Sequence, residues 1–363
     1  MIRKAAPYWP SGIFVPEVGC YPPISPMRAN ERVLHLALKD AFEPQAALER
    51  ALRSISSQYI QVDWQKIEHQ PGGIEGAAQR AARDLHPTMV FLQIQRESTL
   101  PGAVIERLRP LCHPSCVILQ WDGDMHNNPS DKGREWFIDL GRACDCNATV
   151  ETGFQEQYLA LGVRHPAYLQ IGIDEQLYHP AEPTTGTPPI VLLASRYPGL
   201  EQECPGGYAS RVRVARACED AYGHAGFGIY GSGWNDHACR REFVRQSEEA
   251  GIYAAAKAAL SLSIRKDLSR YTSDRLFRMM ASGAVCFVEK IPDWEGLGLV
   301  DSKNCIMFDE WSDLRPRLDD AVDYPERYQN LRVAAAELGL EHTWSARAPE
   351  MLALIDAVRE MRG

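Results

Sequence analysis

The segment Tyr271-Thr272-Ser273-Asp274-Arg275-Leu276-Phe277-Arg278-Met279-Met280-Ala281-Ser282-Gly283, continued by Ala284-Val285-Cys286-Phe287-Val288, decides how the rest of the chain reads. Thr, Ser and Asp cluster where a helix N-terminus takes a cap, apolar residues recur at helical spacing, and Ser282-Gly283 ends the helix before a buried strand. Such a helix start is an anion site, because free backbone N–H groups meet the positive end of the helix dipole there. Arg265, Lys266, Arg270 and Arg275 stand near in sequence to share a phosphate's charge. The implied ligand is activated and phosphorylated.

Around this segment, short apolar runs alternate with amphipathic ones. Ile190-Val191-Leu192-Leu193, Phe227-Gly228-Ile229-Tyr230, Ala259-Leu260-Ser261-Leu262-Ser263, residues 284–288 and Cys305-Ile306-Met307-Phe308 read as strands. Helices are expected over 208–222 and near 236–249. The same alternation fills the amino-terminal half: strands at 33–38, 59–62, 89–94 and 116–119, with helical patterns near 43–56, 74–86 and 101–111. Strands separated by helices predict parallel sheets with right-handed crossovers, hence an α/β chain of two Rossmann-like domains with a cleft between them. The turn-rich stretch Pro180–Pro189 marks the boundary. The expected division is a proline-rich arm over 1–30, a first domain over 31–180, a second over 188–344, and a helix over 345–363 that packs back across the junction.

The 363 residues, 45% of them hydrophobic, suffice for two cores. A net charge of −9 provides no global attraction to nucleic acid or anionic lipid. No apolar run approaches membrane-spanning length, so the expected protein is soluble and cytoplasmic, without membrane insertion. Ten cysteines fall into no regular framework and read as free buried thiols of a reducing compartment. Cys112-His113-Pro114-Ser115-Cys116 and Cys144-Asp145-Cys146 offer zinc-ligand types, but their spacing fits no ribbon or finger.

Four groups of residues could carry chemistry. Gly231-Ser232-Gly233 follows a strand, at the carboxyl edge where open α/β sheets bind ligands, although a plain strand-to-helix turn explains two glycines equally well. Arg265 and Lys266 follow the run 260–264 and so belong to the same edge, as does Arg196 after the first strand of the second half. Thr272, Ser273, Asp274 and Arg275 open the helix, where capping and phosphate contact use one geometry. Finally, Asp122-Gly123-Asp124 with His126 closes a strand of the first half. Those carboxylates and imidazole form a turn with an Asx cap, a general base beside an acceptor, or ligands of a divalent ion. The metal reading is set aside and no metal site is assigned.

These residues resemble the GT-B-fold glycosyltransferases, in particular the branch containing spore-maturation CgeB-like proteins. The resemblance rests on Gly172-Ile173-Asp174-Glu175-Gln176-Leu177-Tyr178-His179-Pro180, Ile229–Trp234, Ser273–Ala284 and Glu341-His342-Thr343-Trp344, and covers most of 150–355. It implies a second domain that holds a nucleotide-diphosphate sugar, with a UDP-sugar as first choice, and a first domain that holds the acceptor. It needs no cofactor beyond that substrate. Many retaining relatives carry two Glu residues eight apart, the second touching the nucleotide ribose. Arg270 and Arg278 stand at the equivalent positions here, either adding charge near the leaving diphosphate or, for Arg278, facing solvent.

The expected function is transfer of a sugar to a hydroxyl without an essential metal. Arg196, Arg265, Lys266 and the helix start would grip the diphosphate, and Asp124, or else Asp122 or His126, would act as base. The acceptor is a glycan, a protein, or a hydroxymethylated DNA base met by Arg3, Lys4, Arg28 and Arg32. Two rivals keep the same fold: a sugar-nucleotide epimerase or hydrolase, and a non-catalytic sugar-nucleotide-binding protein.

Overall fold

The computed structural model describes residues 30–38, 45–67, 72–93, 100–124, 128–130, 133–197 and 205–362. The proline-rich arm and His126 therefore lie outside the described residues. The chain forms two compact units, one running to Gln170 and taking in Trp344–Gly363, the other Ile171–Thr343.

The first unit holds strands β1 (Glu31–Ala37), β2 (Ser56–Asp63), β3 (Met89–Leu92), β4 (Val117–Asp122), β5 (Cys146–Thr149) and β6 (Pro166–Tyr168). All pairings are parallel and the order is β2-β1-β3-β4-β5-β6. Every side chain of β3, β4 and β5 is buried, which is why β3 and the start of β4 read as apolar runs rather than alternating ones, while β5, with Asn147 and Thr149, does not read as a strand. Helices α1 (Ala46–Ser54), α2 (Gly73–Leu85), α3 (Gly102–Leu108), α4 (Glu135–Ala143) and α5 (Gln155–Ala160) supply the crossovers. Leu34, Leu36, Val90, Ile118, Ala78, Ile105 and Leu140 meet in one core.

The second unit repeats the plan with β7 (Ile190–Leu193), β8 (Phe227–Tyr230), β9 (Ala258–Ser261), β10 (Cys286–Glu289) and β11 (Ile306–Phe308). Its parallel order is β8-β7-β9-β10-β11. Its helices are α6 (Pro205–Gly226), α7 (Gln246–Ala255), α8 (Asp274–Ala281), α9 (Trp311–Asp323) and α10 (Gln329–Glu341). Because β8 and β9 flank β7 on opposite sides, the strand order reverses there, and the ends of β7 and β9 form a topological switch point.

The expected helix near 236–249 is corrected to α7, which starts only at Gln246. The intervening chain buries Trp234 and turns back along the outer strand, where Ile229 donates its N–H to Cys239 O and Arg241 donates to Ile229 O. Those bonds satisfy a strand edge that a helix would have left open. The helix expected over 208–222 runs longer, from Pro205 to Gly226, with a non-helical break at Gly223.

The turn-rich stretch 180–189 lies inside the second unit, where Thr184 donates its N–H to Gly251 O. The last helix, α11 (Trp344–Arg362), belongs to the first unit and packs on α1. Arg359 makes a bidentate pair with Glu31 at 2.8 Å for both bonds, and Trp344 meets Trp121 edge to face at 5.1 Å. Both ends of the described chain thus build one sheet's surroundings. Among the described residues no helix is long and apolar enough to cross a membrane.

Candidate functional site

The carboxyl ends of β7 and β8 are stitched into one block. Ala194 donates its N–H to Tyr230 O, Arg196 donates to Ser232 O, both at 2.8 Å, and the Trp234 indole donates to Ala194 O at 2.6 Å. Gly231 and Gly233 are required here. Both take positive φ, 143° and 84°, and an added Cβ would sit 2.4 Å from Ala194 O and 1.8 Å from Arg196 O respectively. The Arg196 guanidinium pairs with Asp236 at 2.9 Å, on the far limb of the same turn.

The loop after β9 carries Arg265 and Lys266. Arg265 is buried and grips Asp267 through two bonds of 2.9 and 2.8 Å, which holds the Asp267 carboxyl below its usual range. Lys266 reaches the buried Glu289 at the end of β10, 3.3 Å away, and Ser210 of α6 donates to the same carboxylate at 2.5 Å. The start of α6 leans on this loop: a Cβ on Gly207 would lie 2.2 Å from Ile264 O. Arg211, one turn further along α6, donates to Leu262 O through Nε (3.1 Å) and Nη2 (2.6 Å), and to Ser195 O through Nη1 (3.1 Å). One guanidinium therefore ties the ends of β7 and β9 together at the switch point.

Helix α8 opens as expected, but not with the expected cap. Ser273 occupies the N-cap position, yet its hydroxyl makes no hydrogen bond into the first turn. Thr272 is buried and its hydroxyl donates to Ser273 O at 3.4 Å. The far end closes as the sequence indicates. Gly283 takes φ 74° and donates to Met280 O, and Ala284 donates to Met279 O.

The two arginines at the Glu positions have definite partners. Arg270, in the left-handed region at φ 58°, pairs with Asp293 at 2.5 Å. The reading of Arg278 as a solvent-facing residue is corrected: it is buried, lies over the Tyr178 ring at 5.2 Å, and pairs with Glu249 at 3.5 Å and with Asp274 one turn back. Tyr178 in turn donates to Glu249 at 2.8 Å, and burial pushes that carboxyl above its usual range. Asp274 thus serves Arg278, and it is Arg275 that makes no side-chain ion pair or hydrogen bond among the described residues.

In the first unit, Asp122 is buried at the end of β4. One carboxylate oxygen accepts the Asp124 N–H at 3.0 Å, the other accepts from Arg134 at 3.0 Å, and burial raises its pKa despite that pair. The turn so formed leaves Asp124 exposed. Arg32, assigned to a DNA-facing patch, donates Nε to His86 O at 2.8 Å; Arg3, Lys4 and Arg28 lie outside the described residues. Cys112, Cys116, Cys144 and Cys146 are buried free thiols, and among the described residues no group of three or more His, Cys, Asp or Glu could hold a metal ion.

One sheet edge therefore gathers Arg196, Gly231-Ser232-Gly233, Arg265, Lys266 and the start of α8. Sequence reasoning missed Arg211, Glu289, Glu249 and Arg134. Arg211 sits in a run where Arg213 and Arg216 are less buried, so nothing local marks it as the enclosed member.

Residues 211–353 match the family described as Glycosyl transferase-like. The fold is shared with HepE of Anabaena, whose structure was determined with UDP and glucose (TM-score 0.59, 9% identity, 90% of this chain and 100% of that one). It is shared likewise with TarM of S. aureus (0.55, 13%, 78% and 57%) and with sucrose-phosphate synthase of Thermosynechococcus elongatus (0.54, 13%, 84% and 83%). The chain has the GT-B fold, and its residues 211–353 are similar to the glycosyl transferase-like family. Among curated proteins none matches. The GT-B chain spans little more than half of TarM and the whole of HepE, and at these identities the likeness concerns the fold.

Proposed function

We propose that this GT-B protein transfers a sugar from a nucleotide-diphosphate donor, a UDP-sugar by preference, to a hydroxyl acceptor without an essential metal. The observation that carries the reading is the convergence, at the carboxyl edge of the second sheet, of a close-approach glycine turn with a helix start bearing Arg275, which makes no ion pair or side-chain hydrogen bond among the described residues. The first supplies room and backbone for a ligand; the second supplies charge. UDP in the HepE complex supports the donor class.

In this reading Arg275, Lys266 and the first-turn amides of α8 offset the negative charge that grows on the departing diphosphate. Such preorganised groups are worth about 10²–10³ in rate apiece. Asp124 takes the proton of the acceptor hydroxyl, while Asp122, locked between Arg134 and the Asp124 N–H, sets the turn that presents it. The acceptor is a glycan, a protein, or a hydroxymethylated base in DNA, which acceptor screening separates.

The test is release of nucleotide from a panel of nucleotide-diphosphate sugars, with and without acceptor and with excess chelator. Acceptor-dependent release that survives the chelator is expected. Release without any acceptor would replace transfer by hydrolysis, and binding with no release would leave a carrier. Asp124→Asn is expected to lower turnover by about 10²–10⁴ with donor affinity unchanged. Unaltered turnover would remove Asp124 from the mechanism.

A further inference from the structure

The cations at the carboxyl edge of the second sheet divide into two groups. Arg196, Arg265, Lys266, Arg270 and Arg278 each face a carboxylate, namely Asp236, Asp267, Glu289, Asp293 and Glu249 with Asp274. Arg211 and Arg275 make no ion pair among the described residues, although Glu249 lies within the field of Arg275. Arg211 is only 2% exposed and its partners are main-chain carbonyls, of Ser195 and Leu262. A guanidinium withdrawn from water without a counter-ion is costly, and carbonyl dipoles offset only part of that cost. Burial, then the neighbouring Arg275, lower the Arg211 pKa to about 9, which places the two cations within each other's field.

We propose that Arg211 is a buried charge held in wait for the donor's diphosphate, whose negative charge completes a pairing that no described carboxylate supplies. The inference rests on the donor-site reading and extends it to a residue on α6. Arg211 acts in two ways at once. Its forked donors fix the ends of β7 and β9, the two strands of the switch point, and its charge lies beneath them. The diphosphate bridges the amides and Arg275 at the start of α8 to the loop ends that Arg211 holds. Arg211 is thus a positioning and charge-balancing residue, and bond-making at the sugar is left to other groups.

The test uses calorimetric titration of the full chain with inorganic pyrophosphate and with UDP. Wild type is expected to bind both. Arg211→Met is expected to weaken pyrophosphate binding at least tenfold, about 1.4 kcal/mol. Arg211→Lys, which keeps the charge but loses the fork, should stay within about threefold of wild type, since screening is weak for a buried charge. If Arg211→Met does not fold, Arg211→Gln, neutral but able to donate to one carbonyl, takes its place. Equal pyrophosphate affinity in wild type and the neutral variants would overturn the inference, as would a loss in Arg211→Lys equal to that in the neutral variants, which would make the residue purely architectural. Failure of wild type to bind pyrophosphate or UDP would instead overturn the donor-site reading itself.

Discussion

Replacing Gly233 by alanine should cost the second unit at least about 2 kcal/mol and reduce UDP affinity tenfold or more. Part of the cost is conformational, because an L-residue held in the left-handed region loses roughly 1–2 kcal/mol. The larger part is steric. The new Cβ would fall 1.8 Å from Arg196 O, a main-chain atom that no rotamer change can move. Relief requires the 194–196 segment to separate from the glycine turn, breaking the Arg196 N–H bond to Ser232 O and displacing the Arg196 pair with Asp236. Gly186 provides the control. It also has positive φ, at 78°, but an added Cβ there would meet nothing within 4 Å, so Gly186→Ala carries the conformational cost alone. Thermal denaturation and UDP titration of the two variants separate strain from site damage. If Gly233→Ala behaved like Gly186→Ala in both assays, the close approach of the two strand ends would be wrong.

Arg278→Ala is the second substitution with a large expected effect, here on stability. Its side chain and that of Glu249 are 11% and 13% exposed, so removal strands a carboxylate in a low-dielectric pocket beside Tyr178 and takes the partner from Asp274. Breaking a buried pair in this way costs about 3–5 kcal/mol. For a unit of this size that corresponds to a midpoint lowered by roughly 6–20 °C. Adding Glu249→Gln should recover part of the loss, since the stranded charge is then gone, and the four-member cycle isolates the coupling. A midpoint for Arg278→Ala within about 2 °C of wild type, at the low edge of a change of about 1 kcal/mol, would place Arg278 outside a buried pair.

The architecture was legible because parallel strands covered on both faces leave a plain trace. Ile190–Leu193 and Met89–Leu92 are apolar throughout, whereas an exposed sheet would alternate. The turn at Gly231-Ser232-Gly233 was legible by position, being the first residues past β8. The fate of individual charges was not. Arg278 meets Glu249 from another helix, 29 positions away, and Tyr178 meets the same carboxylate across 71. Local pattern contains no record of such pairings, and a helix face offered Arg278 both solvent and ligand as alternatives.

The pieces that carried the family resemblance turn out to have largely architectural duties. Ile173 donates its N–H to His342 O, and His342 stacks on Phe277 of α8 at 3.6 Å while donating Nε2 to Leu297 O. The junction motif and the tail motif thus close the second unit where the chain enters and leaves it, and Tyr178 braces Arg278. Motifs that carry one resemblance thus divide in the fold into those that close the second unit and those that form the carboxyl edge of its sheet.

The central claim is that the carboxyl edge of the second sheet holds a nucleotide diphosphate. Amide hydrogen exchange with and without saturating UDP tests it most directly, since ligand contact raises local protection. The account predicts that exchange slows at least about tenfold in peptides covering 194–197, 231–234 and 262–276, with β3 in the first unit unchanged. Protection that spared 262–276, or that appeared only in the first unit, would contradict it.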